Sequence, residues 1–208
     1  VGELRIGFSA DLGVARVDDE IRRVTTRSKN IFSDLGAHVS NVQLNLSSAL
    51  ELSSVFFDLM AARIRKRLGA SAKFMRNEEL LRCADRGDRM NPVNLLDSEA
   101  ERIQLRAKMA TFHQKYDLLI VPTLACAPFV VGYDQPPHRK RADGDFMAMV
   151  APFDLTGQPA ISVPCGFSSK GGPIGLQIVG PFGSDALVLR AARAFERANP
   201  VGRLRPPI

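Results

Sequence analysis

Residues 153–167 read FDLTGQPAISVPCGF. Two prolines and two glycines interrupt an apolar run that reaches Cys165. Gly157 permits a backbone bend that a Cβ would oppose. Pro159 and Pro164 fix φ at the two edges of a short strand, Ala160–Val163. A small residue at Ala160 allows close packing against whatever lies over it. The run GFSSKGG that follows is turn chemistry, and Ile174–Val179 (IGLQIV) is a second strand. The two strands are expected to pair as a hairpin.

Upstream of this hairpin the periodicity alternates between strand and helix. Leu4–Phe8 (LRIGF) reads as a strand, and Asp18 as the N-cap of a helix with Asp19 and Glu20 in its first turn. Ile21, Val24, Ile31, Phe32 and Leu35 recur at helical spacing, and Gly36 stops the helix. Ala37–Val42 then reads as a second strand. Ser48 with Glu51 makes a capping box for a helix whose apolar side is Leu52, Val55, Phe56, Leu59 and Met60. Asn77 is expected to cap a short helix ending near Gly87. Residues 88–96 read as a loop around Asn91-Pro92, with Asp97 or Ser98 opening a long helix striped by Leu105, Met109, Phe112 and Tyr116.

Asp117–Val121 (DLLIV) is nearly all apolar, as a buried central strand should be. Pro122-Thr123 ends it. A Pro-rich, then basic, loop covers residues 125–143, long enough to suggest a functional segment. Residues 145–151 read as helical. Ser184 caps a last helix through Phe195, and an Arg- and Pro-rich tail follows. Strand, helix and strand in this order predict an α/β fold, with a mixed sheet flanked by helices. Residues 1–208 read as a single α/β domain.

The chain has 208 residues, of which 45% are hydrophobic and 24% charged, ordinary values for a soluble globular protein. No apolar run approaches the roughly 18 residues of a membrane span. No signal peptide is read, and no membrane partner is expected. The first residue is Val, so the start is read as a processing site, an artificial edge or a break in a longer protein. Three widely spaced cysteines and three scattered histidines lack metal-ligand spacing. No metal and no cofactor are expected, and free thiols point to a reducing, cytoplasmic compartment. The net charge is +6, with basic clusters at Arg63–Arg67 and His138–Arg141. Neither cluster has interleaved aromatics, so no nucleic-acid partner is expected. Arg63, Arg65, Lys66 and Arg67 suit a helix C-terminus instead.

A self-sufficient active site is not found. No G-x-S-x-G elbow and no phosphate-binding glycine loop occurs. Ser47-Ser48 and Ser168-Ser169 suit capping and turn roles. Cys165 follows Pro164 at a strand end with no His placed to deprotonate it, which reads as a structural thiol. The pair Asp18-Asp19 sits at a helix start.

Three ordered motifs nevertheless carry a resemblance. YDLLIVPTLACAP (116–128), FDLTGQPAISVPCGF (153–167) and GGPIGLQIVGPFGSDALVLRAARAFE (171–196) resemble the C-terminal half of the amidase signature family. The opening LRIGFSADLGVARVDDEIRRV resembles the segment that follows the catalytic region there. The resemblance implies hydrolysis of carboxamides by a Ser–cis-Ser–Lys triad carried in a Gly/Ser-rich region. A weak hydroxyl nucleophile needs a base, and the tetrahedral oxyanion needs donors. These 208 residues contain no such Gly/Ser-rich stretch, so no catalytic residue is assigned and the chain alone is expected to be inactive. Thr123, Asp154 and Gly157 are the substrate-pocket candidates. Thr123 stands at a strand's carboxyl end, where α/β sheets place their sites. Asp154 stands where the family usually has Asn, exchanging a group that donates and accepts for one that only accepts.

Two alternatives remain open. A glutamyl-tRNA(Gln) amidotransferase A subunit would suit the basic balance, though that subunit's Gly-Glu-x-x-Arg-Arg type run is absent. A non-catalytic binding or structural protein would keep the sheet without the triad. In that last reading the missing half of the fold should leave an apolar sheet face open, which predicts self-association into an oligomer or poor solubility. A small-molecule amide is the expected partner if an N-terminal half completes the site.

Overall fold

The computed structural model describes residues 1–74, 77–133, 136–137 and 147–203. Residues 75–76, 134–135, 138–146 (with the basic run 138–141) and the last five residues lie outside the described residues. Arg5–Phe8 forms β1, and its last three residues are buried. Helix α1 (Asp19–Asp34) follows, with Ile21, Thr25, Ser28 and Phe32 buried on one face. Asp18 holds the N-cap position, where its carbonyl, not its side chain, accepts from Arg22 N–H. Gly36 at φ +88° turns the chain into β2 (His38–Asn41).

Helix α2 spans Ser48–Leu68, and the predicted capping box does not form. Asn45 Oδ1 instead accepts from both the backbone N–H and the hydroxyl of Ser47. That turn places Ser47 in helical conformation already, so Ser48 is inside the helix. Arg65, Lys66 and Arg67 fall in the last turn of α2, as the dipole favours. Helix α3 (Glu78–Asp88) is capped by Asn77, whose Oδ1 accepts from Leu80 N–H at 2.8 Å. It packs on α2 through Gly87, where an added Cβ would clash with the Asp58 carbonyl oxygen. Beside it, Arg86 grips the buried Asp58 carboxylate with two bonds of 2.8 Å.

Helix α4 runs Pro92–Lys115 and starts earlier than the sequence suggested. Asn91 Oδ1 caps Val93 N–H, and Pro92 takes the first helical position, where its missing N–H costs nothing. Strand β3 (Leu118–Pro122) is buried at every residue. Helix α5 (Ala151–Thr156) contains the FDLT run; of the anticipated helix 145–151, residues 145–146 lie outside the described residues and 147–150 form a turn, so the bend comes only at the end of α5. Strands β4 (Ala160–Phe167) and β5 (Pro173–Val179) form the expected antiparallel hairpin. Helix α6 (Asp185–Ala198) follows, with Ser184 at its N-cap, and a short 3-10 turn at Pro200–Arg203 comes after it.

The sheet order is β2-β1-β3-β5-β4, a five-stranded mixed sheet. β1 pairs in parallel with β2 and β3, while β5 pairs antiparallel with both β3 and β4. Pro164 sits inside β4 at a register shift, which an edge strand tolerates because its outer N–H groups have no ladder partner. Helices α1 and α6 cover one face, joined by Phe32 stacked on Phe195 at 5.3 Å. Gly7, Leu119, Val179 and Ala160 form one cross-strand row on the other face. There the Phe112 ring of α4 occupies the space a Cβ at Gly7 would take, at 2.8 Å. No helix among the described residues is long and apolar enough to cross a membrane.

Candidate functional site

At the carboxyl end of β3, backbone N–H of Thr123 donates to the carbonyl of Gly175 on β5 at 3.0 Å. Its hydroxyl lies 2.7 Å from the hydroxyl of Ser162 on β4. Two strands are thus bridged across β5, and Gly175 is what lets them meet. A Cβ there would stand 2.7 Å from both hydroxyl oxygens. Around this pair opens a groove of about 410 Å³, walled largely by Ile21, Leu124, Pro128, Phe129 and Pro173. An apolar groove with a few fixed polar groups is the usual form of a small-molecule site.

The other two candidates do not join it. Gly157 ends α5 at φ +69°, the left-handed turn its lack of a Cβ permits. Its chain neighbours Thr156 and Gln158 line a second cavity of about 490 Å³ with Arg106, His113 and Phe182, and a Cβ on Gly157 would lie 3.7 Å from Arg106. Asp154 is exposed on α5, lines neither cavity, and its carboxyl is raised by partial desolvation. Among the described residues no cluster of His, Cys, Asp and Glu is arranged to hold a metal ion.

The second cavity has a polar wall that residue-by-residue reading missed. His113 Nδ1 lies 3.0 Å from the Tyr116 carbonyl oxygen, so that nitrogen carries the proton. Nε2 then accepts from Gln158 Nε2 at 2.8 Å. The same Gln158 amide donates to Gly180 O, while Gln158 Oε1 lies 2.9 Å from the Thr156 hydroxyl. Burial lowers the pKa of the imidazole and outweighs the Tyr116 carbonyl and the Asp117 charge, which both favour the protonated form. Arg106 donates to Thr156 O and lies over the Phe182 ring.

Cys165 points to the opposite face of the sheet, where its carbonyl meets Ser28 of α1. Burial pushes its thiol up to about 11, which keeps it protonated and unreactive at neutral pH. All three cysteines are free and buried. A period-two reading of Ala160, Ser162 and Pro164 would have placed Ser162 on the groove side. Its meeting with Thr123 is a long-range fact that no local pattern carries.

Residues 1–189 match the amidase family model, and the chain belongs to the amidase family. It is 29% identical to an acylamidase of Rhodococcus erythropolis, over 98% of this chain and 44% of that protein. It is 37% identical to the A subunit of the glutamyl-tRNA(Gln) amidotransferase of Oceanobacillus iheyensis, over 46% of this chain and 19% of that one. Among solved structures it superposes on a bacterial aryl acylamidase of the amidase signature family with a TM-score of 0.84. That match has 26% identity and covers all of this chain but 47% of the other. The chain thus spans about half the length of the acylamidases it matches.

Because His113 is held neutral, the unfolded chain binds its proton first as pH falls. Stability should therefore be retained above about pH 6.5 and decline below it. Thermal midpoints measured from pH 8 to 5 should fall in the parent chain and flatten in H113Q. G175A should cost about 1–3 kcal/mol by overpacking the hydroxyl pair. In a double-mutant cycle read by urea unfolding, S162A should recover about 1 kcal/mol of that loss, because it removes one of the two clashing oxygens.

Proposed function

We propose that this chain is the C-terminal half of an amidase-like hydrolase that cleaves carboxamide C–N bonds, giving an acid and an amine or ammonia. The observation that carries the reading is full-length superposition on an aryl acylamidase of twice the span, together with the family match over residues 1–189. In this reading the Thr123–Ser162 groove is a wall of the substrate site, and its apolar lining suits an aromatic or small acyl group. The nucleophile and its base come from a Gly/Ser-rich segment outside these 208 residues. The acylamidase and aryl acylamidase names of the relatives make acylamides the first substrates to try.

Identity to an amidotransferase A subunit over nearly half the chain favours a second reading, in which this is part of such a subunit. The expected self-association is also a proposal. It is supported by the exposed Ala160 and Ser162 on edge strand β4 and by the exposed Phe57, Met60, Ile64 and Leu68 along α2.

The gene upstream of the Val1 codon tests the reading. An in-frame stretch with a Lys and a Gly/Ser-rich region is expected. The extended protein should release amine from an anilide, while residues 1–208 alone should not. A stop codon directly upstream, or equal turnover by the short chain, would overturn it.

A further inference from the structure

A third cavity, of about 580 Å³, opens where the parallel strands β1 and β2 end, and the amide-hydrolysis reading makes no use of it. Loops at the carboxyl ends of parallel strands are where α/β sheets bind ligands. Its walls differ in kind from the apolar groove. Arg22, Thr26 and Lys29 line it from α1, all half-buried, and Asn41, Gln43 and Asn45 line it from the β2 side. Residues 22, 26 and 29 are spaced at four and three, so they share one face of the helix. Lys29 Nζ is held by Asn41 Oδ1 at 2.7 Å and lies over the Phe8 ring at 5.2 Å, which fixes it at the cavity wall.

The loop after β1 supplies the floor. Ala10 and Asp11 line the cavity, and their backbone N–H groups make no hydrogen bond within the described residues. Successive unpaired N–H groups of this kind form an anion-binding concavity. Neighbouring amides in the same loop are used: Ser9 N–H reaches Ile120 O, Leu12 N–H reaches Ser9 Oγ, and Gly13 N–H reaches Asp11 Oδ1. Leu12 is fully buried yet held at φ +53°, a conformation the surrounding packing must impose. One carboxylate opposes the two cations: Asp11 lies 3.6 Å from Arg22.

We propose that this cavity binds an oxyanion, a carboxylate or phosphate group carried on a small molecule. Arg22 and Lys29 supply charge, Thr26 a hydroxyl, and Ala10 and Asp11 their backbone N–H groups. Asp11 acts against binding by occupying Arg22 and repelling the ligand, so its neutralisation should strengthen the site. Substitution by Asn keeps an Oδ1 acceptor for Gly13 N–H and with it the local turn.

The test is an amide-resolved NMR titration of the 208-residue chain with inorganic phosphate and, separately, with succinate. Saturable shifts are expected at Ala10, Asp11 and Thr26, with a Kd on the order of 1 mM. R22Q and K29Q should each weaken binding about fivefold, and D11N should tighten it by about as much. A gain in affinity cannot arise from a misfolded variant, so D11N keeps the test decisive if either cation variant unfolds. Saturation by only one of the two anions identifies the oxyanion chemistry. Shifts that do not saturate below about 10 mM with either, or that ignore D11N, overturn the proposal.

Discussion

Burial of the Leu118–Pro122 strand is the constraint on which the rest of the structure depends. Every residue of β3 is buried, and its neighbours run in opposite senses: β1 parallel on one side, β5 antiparallel on the other. A strand apolar on both faces must be covered on both faces. The α1–α6 layer covers one and the α2–α4–α5 layer the other. The cover is tight enough that Gly7 must lack a side chain to admit Phe112. At the strand's amino end Asp117 accepts from the backbone and guanidinium of Arg5, which sets the register of β1 against β3. At its carboxyl end the backbone of Thr123 is tied to Gly175, so the groove stands where the core stops.

The two polar constellations differ because their surroundings differ. Around Thr123 and Ser162 the hydroxyls are close to solvent and can turn toward a ligand. Around His113 the acceptors and donors are already matched, which fixes one tautomer and one ring orientation. The first arrangement suits contact with an exchanging substrate, and the second suits holding α4, α5 and the β5–α6 turn together. Neither contains a nucleophile paired with a base, in keeping with the proposal that the reacting groups come from another segment.

Local chemistry made most of the architecture legible. All five strands were legible, β3 as a nearly all-apolar run and β4 from its flanking prolines, and turn residues paired β4 with β5. Asn77 and Gly36 marked helix ends through mechanisms the structure displays. Where reading failed, a neighbour outcompeted the motif. Asn45 took the hydroxyl of Ser47 and moved the start of α2, and Pro92 proved a helix opener where it had suggested a loop. The FDLT run, bounded by Gly157, formed a helical turn because Ala151–Thr156 could bury Phe153 and Leu155 together. The candidate residues scattered for a different reason. Thr123 and Gly157 are both near strand ends, but which cavity each lies beside depends on pairing across β5, a relation between distant segments.

Native-state hydrogen exchange across the sheet tests the account most directly. If β3 is the strand around which the two layers assemble, the amides of Leu118–Val121 should be the slowest to exchange. Their opening should match global unfolding, while β2 and the α2–α3 pair open earlier. Exchange in β3 as fast as in the edge strands would contradict it, because the sheet would then have no common core and the groove no fixed floor.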